Sequence, residues 1–175
     1  GTPGSEGEIG EIYIQGASVC AGYWQNPEET RRFEAAVPGH PGRFYRTGDM
    51  GVLHEGRLYL TGRIKEMVII GGKNIFPSDI TLMLHQQGVA LPMDAVTVFS
   101  VRRDGGERPI LCAECPPQAD CKALALQVNR LTARHFGFSF YDVVFVRPGT
   151  LPRTDNRKVQ TLKARGQYEQ GSLAV

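Results

Sequence analysis

Apolar and polar positions change their rhythm at about residue 64. Before it, residues 10–16 alternate, with Ile12 and Ile14 set against Tyr13 and Gln15, which predicts a half-buried strand. Asn26-Pro27-Glu28-Glu29 predicts a helix start: Asn26 is a good N-cap, Pro27 suits the first helical position, and Glu29 can close a capping box. That helix is expected to run to about Val37 and stop before Pro38-Gly39. Phe44-Tyr45-Arg46 reads as a short strand entering a Thr47-Gly48 turn. Gly51-Val52-Leu53 and Leu58-Tyr59-Leu60 flank a hairpin turn on Glu55-Gly56.

After residue 64, strands and helices alternate. Met67-Val68-Ile69-Ile70 is an apolar strand ending in Gly71-Gly72. Pro77 opens a helix with Asp79 in its first turn, stopping at Gly88. Residues 95–101 alternate as a strand, Asp104-Gly105-Gly106-Glu107 is a hairpin turn, and residues 109–115 form the partner. After Pro116-Pro117, residues 118–136 are amphipathic, with Cys121, Leu124, Val128, Leu131 and His135 on one face and Gly137 as the cap. A strand is expected over 141–146, a helix over 159–168, and a frayed tail over 171–175. The fold class is therefore α+β: a β-rich piece, 1–63, and a small mixed domain, 64–175, with residues 63–66 as the linker.

Composition adds mainly exclusions. The 175 residues make one medium domain or two small ones. With 41% hydrophobic and 22% charged residues, the chain has a soluble globular composition. The net charge is +2 with Lys and Arg dispersed, which gives no case for nucleic acid. No apolar run approaches the roughly 20 residues of a membrane helix, and no leader is legible. The chain opens at Gly1 without Met, as an excised fragment would. Cys112 and Cys115 have a metal-like spacing, but on a strand they fall on opposite faces, and no second pair completes a zinc site. Reduced thiols and a cytoplasmic location are the default expectation.

Three polar clusters carry candidate chemistry. Tyr45-Arg46-Thr47-Gly48-Asp49 sets a carboxylate after a tight turn, where its two oxygens can accept both hydroxyls of a ribose or cap the turn itself. Gly62-Arg63-Ile64-Lys65-Glu66 offers a guanidinium fork suited to an oxygen-rich ligand or to a surface ion pair. Leu151-Pro152-Arg153-Thr154-Asp155-Asn156-Arg157-Lys158 is a cationic loop, fit for a phosphate or for plain solvation.

These clusters, with Gly10-Glu11-Ile12, Gly22-Tyr23-Trp24 and Gly71-Gly72-Lys73-Asn74-Ile75-Phe76-Pro77, stand in the order found in one family. The chain resembles the C-terminal third of adenylate-forming (AMP-binding) ligases, most closely fatty acyl-AMP ligases and acyl-CoA synthetases. The resemblance implies a first piece that ends the β-barrel subdomain of a large domain, followed by a mobile C-terminal domain. It implies ATP and Mg2+, a small-molecule carboxylate substrate, and an acceptor thiol on carrier-protein phosphopantetheine or on CoA. It assigns Asp49 and Arg63 to the nucleotide, Lys158 to catalysis, Lys65 to a hinge, and Gly71 and Gly72 to a pantetheine channel; no residue is assigned to a metal. The implied partners are the missing N-terminal domain of the same protein and an acyl or peptidyl carrier protein. A peptide-synthetase adenylation domain and a noncatalytic carrier-docking module are the rival readings. The chain departs from the family pattern at Arg157, where glycine is usual. A positive φ there would disfavour Arg, and an Arg could instead add a phosphate contact.

Overall fold

A computed structural model describes residues 3–174. The chain divides into two compact units, Gly1–Lys65 and Glu66–Val175.

The first unit is one open antiparallel sheet with a short helix. Its strands are β1 (Ile9–Ile14), β2 (Glu34–Val37), β3 (His40–His54) and β4 (Arg57–Arg63). Strand β3 is central: Tyr45 pairs with Ile14 and with Glu34, and Gly51 pairs with Gly10 and with Leu60. The described residues close no barrel. Helix α1 (Pro27–Phe33) starts as its cap residues dictate, with Asn26 Oδ1 accepting from Glu29 N at 3.1 Å. Two details differ from expectation. The Glu29 carboxylate turns to Arg32 instead of closing the box. The helix stops at Phe33, because Phe33 stacks on Tyr45 at 5.3 Å and the next four residues pair with β3 as β2. The Thr47-Gly48 turn likewise does not end a strand; it is a bulge inside the 15-residue β3. Among the described residues of this unit only Gly51 is buried, while Ile9, Trp24, Leu58 and Leu60 are all more than half exposed.

The second unit holds the hydrophobic core. Strands β7 (Val96–Arg103), β8 (Gly106–Glu114) and β9 (Asp142–Val146) form a sheet with β8 in the centre, antiparallel to β7 and parallel to β9. Parallel pairing needs a crossover, and α3 (Cys121–Phe136) supplies it. It is capped by Asp120 Oδ1 at one end and by left-handed Gly137, φ +79°, at the other. The period-2 alternation sorts β8 onto two faces. Leu111 and Ala113 join Ile80, Met83 and Leu84 of α2 (Pro77–Gln86) and Val128 of α3. Ile110 and Cys112 join Phe99, Val146 and Ala164 of α4 (Thr161–Glu169). Each fully buried Ile or Leu here is worth about 2 kcal/mol. Cys121, expected on the apolar face of α3, is exposed; Leu124, Val128 and Leu131 carry that face, and His135 is its solvent-exposed end. The tail is better held than expected. Leu173 packs on the second cluster and Arg147 N donates to Ala174 O, while Val175 lies outside the described residues. Strands β5 (Val68–Ile70) and β6 (Lys73–Ile75) form a separate hairpin.

Candidate functional site

In the first unit, the β1–β3 ladder runs from Glu11↔Met50 to Tyr13↔Arg46, so one residue of β1 faces three of β3: Thr47, Gly48 and Asp49. Gly48 takes φ +73°, which glycine adopts without steric cost. Thr47 Oγ1 donates to Ile12 O at 2.8 Å and accepts from Asp49 N at 3.0 Å. The bulge is therefore pinned by a side chain, and bulges of this kind re-aim the residues they carry. Asp49 lies in register with Arg63 at the end of β4, and Arg63 Nε reaches Asp49 Oδ1 at 2.7 Å. The Arg63 side chain is 64% exposed, so this pair adds less than about 1 kcal/mol to stability. The contact uses Arg63 Nε and Asp49 Oδ1, and the Asp49 side chain is 30% exposed. The pair presents an acceptor and a donor fork side by side, which suits a diol or an anion.

Lys65 sits in a single 3-10 turn, Ile64–Glu66, at the boundary between the units. Gly71 and Gly72 form the tip of the β5–β6 hairpin, with φ of +56° and +77°. Two consecutive positive φ values mark the two-residue turn whose twist matches its strands. A Cβ at either glycine would meet nothing within 4 Å, so backbone conformation, not crowding, demands glycine there.

Lys158 lies in the second unit, on a tight hairpin closed by the Arg153↔Val159 bridge. Arg157 N donates to Thr154 O, and Thr154 N to Lys158 O, both at 2.8 Å. This is a turn followed by a left-handed bulge residue, normally glycine. Here that residue is Arg157, at φ +62°. The Lys158 side chain is exposed and enters no ion pair among the described residues. The structure thus brings Asp49 and Arg63 into contact in one unit and carries Lys158 in the other.

Below the hairpin lies a network that the sequence reading missed. Arg153 Nη1 donates to Arg157 O at 2.9 Å and to Asp94 O at 2.7 Å, and Arg153 Nη2 reaches Glu114 Oε2 at 3.3 Å. The other Glu114 oxygen accepts from Leu151 N at 3.0 Å. Glu114 is only 7% exposed. Its signal was available: an acid closing the apolar run Ile110-Leu111-Cys112-Ala113 needs a cation if that run is buried.

Cys112 and Cys115 fall into different core clusters, on opposite faces as their spacing implies. Burial foremost, then the nearby Asp142 and Glu114 carboxylates, push the Cys112 thiol up to about 12. Burial, then its bond to Asp142 at 3.0 Å, lift the Tyr168 phenol to about 12. Among the described residues no three His, Cys, Asp or Glu side chains cluster to hold a metal. Magnesium that accompanies ATP is held mainly by phosphate oxygens and water and needs no such cluster; no described residue is assigned to it, and no step below runs through it.

No protein-family model matches the chain. Curated proteins do. The medium-chain-fatty-acid–[acyl-carrier-protein] ligase JamA of Moorena producens is 31% identical over 95% of this chain. The long-chain-fatty-acid–AMP ligase FadD32 of Mycolicibacterium smegmatis is 30% identical over 96% of it. Among solved structures, McyG A-PCP complexed with phenylalanyl-adenylate matches 97% of the chain at TM-score 0.77 and 26% identity, and 30% of its own chain is covered. ATP-bound MatB from Rhodopseudomonas palustris matches 96% at TM-score 0.74 and 28% identity, with 32% of its own chain covered. The chain belongs to the adenylate-forming, AMP-binding ligase family. It spans 29% of the length of JamA and 32% of the length of FadD32.

Proposed function

We propose that this chain is the C-terminal part of an ATP-dependent acyl-activating ligase. A carboxylate oxygen attacks the α-phosphate of ATP, the bond to the β-phosphate breaks, and acyl-AMP and pyrophosphate result. The phosphopantetheine thiol of a carrier protein then attacks the acyl carbon, the acyl–phosphate bond breaks, and a thioester, AMP and a proton result. The observation that carries this reading is the Asp49–Arg63 pair on a pinned bulge, in a chain 31% identical to a fatty-acid–[acyl-carrier-protein] ligase. Asp49 accepts from the ribose hydroxyls, and Arg63 orients that carboxylate and contacts the nucleotide. Lys158 offsets the repulsion between the attacking carboxylate and the phosphate. Removing such a preorganised charge costs about a hundredfold to a thousandfold in rate. Lys65 is the hinge, and the hairpin tip at Gly71 and Gly72 is the thin wall past which pantetheine slides.

The rest of the machinery lies outside these residues. Among the described residues the first unit buries only Gly51, so its sheet has apolar side chains to bury against another surface. That surface is the remainder of the same protein. The isolated chain incubated with ATP, magnesium and fatty acid should release no pyrophosphate, and robust release would sink the fragment reading. A second reading, amino-acid activation, is supported by the phenylalanyl-adenylate neighbour, at the lower identity of 26%. Mass analysis of the whole protein's products with fatty acids and amino acids, offering CoA or holo-carrier protein, separates these readings.

A further inference from the structure

Arg157 occupies the one backbone position of the Lys158 hairpin that suits glycine best, at φ +62°. Three hydrogen bonds hold it there: its N–H to Thr154 O, its carbonyl to Arg153 Nη1, and the Thr154 N–H to Lys158 O. A non-glycine residue kept in the left-handed region is strained, and such strain persists only where surrounding bonds over-determine it. Glycine would relieve the strain without losing any of these backbone bonds. What glycine cannot supply is a guanidinium. The Arg157 side chain is exposed and enters no ion pair among the described residues, and Lys158 beside it is in the same condition. Their Cα atoms are adjacent, about 3.8 Å apart. The tip thus presents two neighbouring uncompensated cations on a rigid turn, against the single carboxylate of Asp155.

We infer that Arg157 is a second polyanion-binding residue of this loop, gripping the β/γ-phosphates of ATP and the departing pyrophosphate while Lys158 faces the phosphate under attack. The inference rests on the proposed ligase reading. A guanidinium fork takes two phosphate oxygens at once, which a lysine cannot do with the same geometry. The contact assists retention of the triphosphate and the reverse reaction from pyrophosphate.

The test uses the whole protein with Arg157→Gly, Arg157→Lys and Lys158→Ala, read by carboxylate-dependent ATP–pyrophosphate exchange and by melting temperature. Arg157→Gly should raise the KM for pyrophosphate about tenfold, the worth of one charge-assisted contact, while raising the melting temperature. Arg157→Lys should fall between, raising KM about threefold, since it keeps the charge in the same strained turn but loses the two-oxygen fork. Two results would overturn the inference: unchanged KM for ATP and pyrophosphate in Arg157→Gly, or a loss in Arg157→Lys equal to that in Arg157→Gly. Lys158→Ala separates the two levels. Exchange abolished by Lys158→Ala but indifferent to Arg157→Gly removes this inference alone. Exchange that survives Lys158→Ala, or is absent from wild type, removes the ligase reading and this inference with it.

Discussion

Replacing Arg153 by Ala should loosen the second unit and the Lys158 hairpin together. The substitution leaves Glu114 buried, 7% exposed, with Leu151 N as its remaining partner. Removing one member of a buried pair costs about 3–5 kcal/mol. Arg153 is 20% exposed and solvent screens part of the interaction, so about 2 kcal/mol is the appropriate share here. The bonds to Asp94 O at 2.7 Å and Arg157 O at 2.9 Å add about 0.5 kcal/mol each at this exposed edge. The sum, about 3 kcal/mol, corresponds to roughly two decades in an opening equilibrium. Hydrogen exchange at the amides of β7, β8 and β9 reads that equilibrium locally, and should accelerate about a hundredfold in Arg153→Ala. Glu114→Ala in the same background should add less than it does alone, because the two side chains share one interaction. Acceleration below about threefold would refute the reasoning: the pair would then be an ordinary solvated contact.

Asp49→Asn should raise the KM for ATP about tenfold in the whole protein, since an amide offers one acceptor where a carboxylate offers two. It should leave the melting temperature within about a degree, because its pair with Arg63 is largely exposed; steady-state kinetics and calorimetry check the two parts. The second unit should lose stability at alkaline pH. Cys112 and Tyr168 both titrate near 12 when folded, so their neutral forms are the ones bound. Their stabilisation is complete below the unfolded values of about 9 and 10 and is lost as pH rises toward 12. Tyr168→Phe should flatten part of that loss in pH-dependent urea unfolding, and an unchanged alkaline limb would contradict it.

Local chemistry made much of this fold legible. The Asn26 cap, the Gly137 stop and the Glu55-Gly56 hairpin turn are set by side chains and φ preferences that neighbours do not override. Misread elements were those decided at a distance. Residues 34–37 have no helix breaker before Pro38, yet β3 takes them as a strand. Thr47-Gly48 resembles a terminal turn until Ile12 is known to face it across the sheet. For the site, sequence named Asp49, Arg63 and Lys158 but could not show that the first two touch. The concern that Arg157 sits at a glycine position proved well founded, since its φ is +62°. Arg153 looked like one more solvated cation because Glu114, its anchor, stands 39 residues away.

Acyl-adenylate formation by the whole protein, wild type against Lys158→Ala, tests the central claim most directly. With ATP and a panel of fatty acids, mass spectrometry should find acyl-AMP from wild type. Lys158→Ala should form it about a hundredfold to a thousandfold more slowly, with the melting temperature unchanged. Adenylate formed equally fast without the Lys158 ammonium would contradict the account, as would its absence with every fatty, aryl and amino acid offered to the wild-type protein.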